Sequence, residues 1–373
     1  MEQEKQTAQS SKLSTDESIT LTTTFSTNEY YSKKFSFNSN KILNKDICQF
    51  LQKDLQDYQI YTKSFTAQNQ KIINDLLDQL KEAVNEITDK YEVKLYGSRA
   101  TNLCLMWSDL DVVIIKKNPK NNALQNPLSI LDKLCSNLNQ KSWIKAIKYI
   151  NTAKVPIIKL TTIDEFKNMQ IDISMEDQSH YGLKCVDLVK GFIKEYEVLE
   201  PLVFAIKTLL KIAYLNDPYT GGISSYGVIL MIVFFLKQEK KKGRQISLNF
   251  LGELFIDFLL YYGSNLNSNY INPGEINITF LHPILPSDLI IIDPLNENNN
   301  VGKSTFQYFN IRCMFLFALF GLQDECFCGC HYNSIKNGSP KQNEEVGVHN
   351  YLKKMFNAVK RFGDFSNKEK NYI

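Results

Sequence analysis

The chain predicts an α+β protein, a small mixed layer followed by a mostly helical half, and three observations predict it. Apolar residues alternate over Val93–Tyr96, Leu110–Ile115, Ile144–Ile150, Val155–Leu160 and Met169–Met175, the period of half-buried strands. Apolar residues at helical spacing precede the first strand and recur at 128–138, so helices lie against one side of the strands. From Gly182 to Tyr262 the spacing turns helical throughout.

The bulk properties set bounds. At 373 residues the chain can bury two or three cores. A hydrophobic content of 43% and a charged content of 22% are those of an ordinary globular chain. The net charge of +3 excludes a chain coated in basic residues and leaves room for a local basic groove. Ile223–Leu236 is the most apolar helical stretch, shorter than the roughly 20 residues a bilayer span needs, and reads as a core helix. The start, MEQEKQTAQSSK, has no apolar leader. Eight cysteines without framework spacing read as reduced thiols. The expectation is an intracellular protein of the cytoplasm or nucleus, with no membrane partner.

Taken in order, residues 1–43 form a polar tail without period, expected to be disordered. Ile47, Phe50, Leu51 and Leu55, then Ile72 to Ile87, give two helices. A strand follows and ends in Gly97-Ser98. Ten residues further on, Asp109 and Asp111 flank Leu110 on an apolar strand. Alternate strand residues share a face, so the two carboxylates point one way while Leu110, Val112 and Ile114 point the other. Like charges placed together call for a cation, and Mg²⁺ accepts carboxylate oxygens while keeping positions for substrate phosphates. Gly97 lets backbone N–H groups approach an anion, and the Ser98 hydroxyl adds a donor. The strand QIDIS presents a third carboxylate, Asp172, between Ile171 and Ile173; it can join the cation site or take a proton from an attacking hydroxyl.

In the helical half, Lys207 and Lys211 stand four apart on one helix face. They read either as lysines reaching to solvent or as partners of phosphates. A Gly221-Gly222 turn and Ser224 or Ser225 cap the long apolar helix that follows, whose N-terminus can take phosphate; Tyr226 can stack a base. The basic run Lys237–Arg244 reads as a solvated helix end. Ile276–Leu281 and Leu289–Ile292 read as a hairpin, followed by a turn through Asp293–Ser304 and a helix at Phe306–Leu319. Gly302-Lys303-Ser304 lacks the upstream glycine of a Walker loop. Cys326, Cys328, Cys330 and His331 are spaced too tightly for the usual zinc pattern and read as free thiols. A last helix is expected within 346–362 and a polar tail over 363–373.

Five stretches in this order, YGSRATNLCLMWSDLDVVI, QIDIS, LVFAIKTLLK, TGGISSYGVILMIVFFL and IDPLNENNNVGKS, resemble the template-independent terminal RNA nucleotidyltransferases of the DNA polymerase β superfamily. These are the poly(A) and poly(U) polymerases with a poly(A)-polymerase-associated domain. The resemblance implies a polymerase-β-like palm over 75–180 and a helical central domain built from 46–74 with 181–362, the active site lying in the cleft between them. It implies Mg²⁺, or Mn²⁺, on Asp109, Asp111 and Asp172, and triphosphate on Gly97, Ser98, Lys207, Lys211 and Ser225. Tyr226 then stacks the base, with Asp293 and Asn299 in the recognition loop. The implied reaction is addition of ribonucleotides from NTP to a single-stranded RNA 3′ end, with other RNA-processing proteins choosing the substrate. Relatives that add uridylyl tend to have His where Asn299 stands, so adenylyl is favoured. The alternatives are a terminal uridylyltransferase within a small-RNA or RNA-surveillance complex, or a catalytically inactive scaffold. One departure is Tyr181, where the family often has Asn near the ribose.

Overall fold

The computed structural model describes residues 45–118, 127–153, 155–176, 181–264, 270–271, 289–323 and 350–370. The expected tail at 1–43, the strand at 276–281 and the Cys326–His331 cluster lie outside these residues.

Two amphipathic helices come first, α1 (Lys45–Gln68) and α2 (Gln70–Asn85). Strands β1 (Tyr91–Leu95) and β2 (Leu110–Lys116) are antiparallel and joined through a one-turn helix, α3 (Gly97–Ala100). Helix α4 (Pro127–Leu138) follows, then β3 (Ile144–Ile150), β4 (Ile157–Thr162) and β5 (Gln170–Met175). The sheet runs β1-β2-β5-β4-β3, so the last strand in sequence inserts beside β2, in parallel. Its apolar face (Leu110, Val112, Ile114, Ile158, Leu160, Ile171 and Ile173) packs on Ile73, Leu76 and Leu80 of α2 and on Leu131, Leu134 and Leu138 of α4. At about 25 cal/mol per Å² of buried apolar surface, this core fixes which residue of each strand turns away from it.

The helical half contains α5 (Gly182–Glu195), α6 (Leu199–Ile212), α7 (Ser225–Lys241), α8 (Leu251–Ser264), α9 (Tyr308–Gln323) and α10 (Asn350–Lys370). Phe235, Phe258, Tyr262 and Phe315 meet at its centre, rings edge-on or tilted. Helix α1 joins it: the Tyr58 hydroxyl lies 2.7 Å from Thr208 Oγ1, and Asp54 accepts the Tyr351 and Leu352 amides at the start of α10. That carboxylate satisfies donors every helix N-terminus leaves open.

Three elements differ from expectation. Leu289–Ile292 pairs with the asparagine-rich stretch read as a turn, so the hairpin is β7 (Ile290–Asp293) with β8 (Asn296–Asn300); the short β6 (Tyr270–Ile271) lies beside β7. The asparagines themselves hold it: Asn300 Oδ1 accepts from the Ile291 and Gly302 amides. The basic run is not simply solvated, because Arg244 pairs with Glu239, Glu253 and Asp257, and Lys242 with Glu239. Helix α10 continues to Lys370, through the expected polar tail.

Candidate active site

On the sheet face away from the core, three side chains form a row across three neighbouring strands. Asp111 on β2 is in register with Asp172 on β5, and Asp172 with Lys159 on β4. Lys159 Nζ donates to Asp172 Oδ2 at 2.5 Å. Asp109 stands one residue before β2 begins. It is held by Arg99 of α3, whose Nε donates to the Asp109 carbonyl at 3.2 Å and Nη2 to the Ser108 carbonyl at 2.5 Å.

The carboxylates are electrostatically unsatisfied. Burial pushes the Asp111 carboxyl up to about 7, and the charges of Asp172 and then Asp109 push in the same direction. Asp109 is raised as well, by burial and then by Asp172. A cation placed among them would offset both causes by favouring the charged carboxylates. The donor set fits a hard divalent ion, which prefers carboxylate oxygens and keeps coordination sites for a substrate. As the side chains stand, no three His, Cys, Asp or Glu among the described residues are placed to hold a metal ion together; Asp172 instead directs one oxygen to Lys159. Gly97 explains the tightness of this corner. It has φ +66°, and a Cβ there would lie 2.1 Å from Asp111 Oδ2. The glycine thus makes room for a carboxylate, a constraint beyond the anion approach expected from sequence.

A cleft of about 510 Å³ opens beside the row. Gly97, Ser98, Asp109, Asp111, Lys207, Lys211, Ser225 and Tyr226 all line it. Lys207 is nearly buried and donates to the Leu103 carbonyl at 2.8 Å. Burial lowers its ammonium to about 8, so it supplies charge from beneath the cleft floor. Lys211, one turn on, is exposed. Ser224 is the cap of α7, accepting the Gly227 amide at 3.1 Å, which leaves Ser225 exposed at that helix's first turn.

Asp293 and Asn299 are brought to the back of Tyr226. The Tyr226 hydroxyl donates to Asp293 Oδ1 at 3.0 Å, and Asn299 Nδ2 donates to Asp293 Oδ2 at 3.0 Å. The Leu295 amide adds a third donor. Burial, then Cys185 and Asp293, keep the Tyr226 hydroxyl protonated far above its usual range. Tyr181 sits just before α5, with Lys184 Nζ 5.3 Å from its ring centre.

Arg99, Lys159, Trp107 and Cys185 were not singled out from sequence. Trp107, an aromatic inside the Gly-Ser to Asp-Leu-Asp stretch, carried a signal, whereas Arg99 of that stretch and Lys159 of β4 take their roles from backbone contacts and strand order. Cys185, which lines the cleft beside Tyr226, carries none.

Residues 51–192 match the family model described as "Poly(A) RNA polymerase, mitochondrial-like, central palm domain". Over 261 residues, 67% of the chain, it is 29% identical to the poly(A) RNA polymerase cid14 of Schizosaccharomyces pombe. That match covers 37% of the relative, and the chain spans less than half the length of the curated relatives it first matches. Its fold is similar to the polymerase core of TRAMP, an RNA surveillance complex (TM-score 0.62, 23% identity, 78% of this chain and 88% of the other). It is also similar to a cytoplasmic RNA terminal U-transferase (TM-score 0.56, 21% identity, 78% and 99%). The fold is shared with these structures: a five-stranded mixed sheet backed by helices, within the palm-model match, followed by a helical half.

Proposed function

We propose that this chain, whose residues 51–192 match the poly(A) RNA polymerase palm model, adds ribonucleotides from NTP to RNA 3′ ends without a template, adenylyl before uridylyl. The observation that carries this reading is the placement of Asp109 and Asp111 in one cleft with Ser98, Lys207, Lys211, Ser225 and Tyr226, with Asp172 in register beside Asp111. Phosphate-binding groups and charge-strained carboxylates face the same space.

The palm spans 75–180 and the helical domain 46–74 with 181–362. In the reaction, the RNA 3′ oxygen bonds to the α-phosphorus and pyrophosphate departs. Asp172 takes the hydroxyl proton, its orientation set by Lys159. Lys211, Ser225 and the buried charge of Lys207 hold the β- and γ-phosphates, and Ser98 with the Gly97 backbone holds the triphosphate against the palm. Tyr226 stacks the base, steadied by Asp293. Asn299, fixed on the same carboxylate, reads the base edge. Asp109, Asp111 and Asp172 would hold Mg²⁺ or Mn²⁺, which would supply positive charge for the transfer. Partner proteins select the RNA, in line with the TRAMP core being part of a complex. The cytoplasm or nucleus is the place such substrates are met, and no helix among the described residues is long and apolar enough to cross a membrane.

The test is extension of a short single-stranded RNA by the purified protein with Mg²⁺ and each NTP alone. A ladder with ATP is expected. A ladder with UTP alone would install the uridylyl reading, which the likeness to the U-transferase fold favours second. No extension with any NTP would overturn the enzyme and leave the inactive scaffold.

A further inference from the structure

The mechanism above leaves Trp107, which lines the cleft, and Tyr219, whose neighbours line it, unused, and Tyr219 is the more exposed. Tyr219 is 76% exposed, the most exposed of the large hydrophobic side chains among the described residues. Its backbone is nonetheless pinned. Asp217 Oδ1 accepts the Tyr219 amide at 2.9 Å, and the Asp217 carbonyl accepts the Thr220 hydroxyl at 3.0 Å and the Gly222 amide at 2.8 Å. Gly221 has φ +86°, and a Cβ there would come within 2.3 Å of the Phe306 ring, so the turn lies flat on that ring. From the far side, the Gln307 amide donates to the Gly221 carbonyl at 2.9 Å, and its side chain donates to the Thr220 carbonyl. A fixed turn that holds an aromatic face in water offers a stacking surface at small ordering cost.

Its position says what would stack there. The neighbouring Asn216 and Pro218 line the cleft. Lys159, which holds Asp172, stands within electrostatic reach of the Tyr219 hydroxyl. The turn that carries the ring thus borders the cleft that Asp109 and Asp111 line, where an acceptor hydroxyl must arrive, whereas Tyr226 is anchored to Asp293. An aromatic face beside a lysine suits a nucleotide: the ring takes the base, the cation the backbone charge. Stacking is indifferent to base identity, as an acceptor site with no template requires.

We propose that Tyr219 is the platform on which the 3′-terminal base of the acceptor RNA stacks, with Lys159 supplying the positive charge beside it. This rests on the RNA-extension reading, and the experiment separates the two. Binding of a single-stranded oligoadenylate carrying 2-aminopurine at its 3′ end, or internally, is followed by fluorescence for the full chain and for Tyr219→Ala and Tyr219→Trp. Extension kinetics are measured in parallel. Tyr219→Ala is expected to raise both Kd and KM for RNA on the order of ten-fold, the usual scale for one lost base–aromatic stack. It should also remove quenching of the 3′-terminal probe only, and leave KM for ATP unchanged; Tyr219→Trp should restore all three. Unchanged RNA affinity in Tyr219→Ala would overturn the proposal, as would an equal rise in KM for ATP, which would assign the ring to the incoming nucleotide. If the parent chain extends nothing, the extension reading fails by itself. The fluorescence still decides: 3′-terminal quenching that Tyr219→Ala abolishes supports the platform, and quenching that persists, or never occurs, overturns it.

Discussion

Asp111 lines the cleft half-buried, Asp293 lies buried behind Tyr226 of the same cleft, and their surroundings are opposite. Asp293 is 3% exposed and accepts from the Tyr226 hydroxyl, the Leu295 amide and the Asn299 side chain. Its charge is spread over three donors, which is how a buried carboxylate is made stable. Asp111 faces Asp172 and Asp109, and is pushed up to about 7. The first carboxylate organises protein around itself; the second is held in a place that suits it poorly. A fold tolerates the second kind where a ligand makes up the deficit. The palm side of the cleft is thus built to receive charge, and the hairpin side to hold a shape.

Exchanging each aspartate should break the two sides in different ways. Asp111→Asn should reduce nucleotide addition by roughly 10³-fold or more, the several kcal/mol that charge stabilisation at such a site supplies. Urea unfolding at neutral pH without divalent ions should show it no less stable than the parent, since like-charge repulsion is relieved. Asp293→Ala should do the reverse in stability, losing about 1–3 kcal/mol because buried donors are left unpaired. An Asp111→Asn protein that unfolds, or an Asp293→Ala protein as stable as the parent, would erase the distinction.

The next effect is smaller and depends on pH. The Asp111 carboxyl has a usual value of 3.8 and sits at about 7 in the fold. The folded state therefore binds the proton more tightly than the unfolded chain. That stabilisation is fully present below pH 3.8 and is lost as pH rises through about 7. In EDTA, the parent should lose Tm relative to Asp111→Asn between pH 5.5 and 8. Mg²⁺ should restore the parent more at pH 8 than at pH 5.5. A difference between the two proteins that stays flat with pH would mean the carboxylate is already neutralised within the fold.

How far these two sides were legible follows from the same contrast. On the palm side, period-2 alternation around Asp109, Asp111 and Asp172 reveals a polar face because the opposite face must be apolar. The Lys159–Asp172 pair was not legible, since it depends on the strand order β1-β2-β5-β4-β3, which spacing does not encode. Nor was Arg99, whose role is to fix the backbone of Ser108 and Asp109. On the hairpin side, Asn296–Asn300 has no apolar alternation, so it reads as a turn. It is a strand because Asn300 side-chain bonds close the loop and Asn299 is bonded to Asp293. Structure held by side-chain hydrogen bonds leaves little trace in hydrophobic patterning.

The smallest expected effect tests whether the hairpin side does more than hold shape. Asn299 Nδ2 donates to Asp293 Oδ2 at 3.0 Å, and the same carboxylate steadies Tyr226. One buried carboxylate therefore fixes both the Tyr226 ring and the Asn299 side chain, the pair proposed for base stacking and base reading. Asn299→His offers a ring N–H that can keep the bond to Asp293, so urea stability should stay within about 1 kcal/mol of the parent. The base edge then meets imidazole in place of an amide. The ratio of ATP to UTP use should fall by about ten-fold, the scale of one or two polar contacts in a nucleotide pocket. A lowered ratio with unchanged stability would make Asp293 the anchor of a specificity element. An unchanged ratio would confine Asn299 to the hairpin and move base choice to other groups around Tyr226, with Cys185 and Tyr181 the first to exchange.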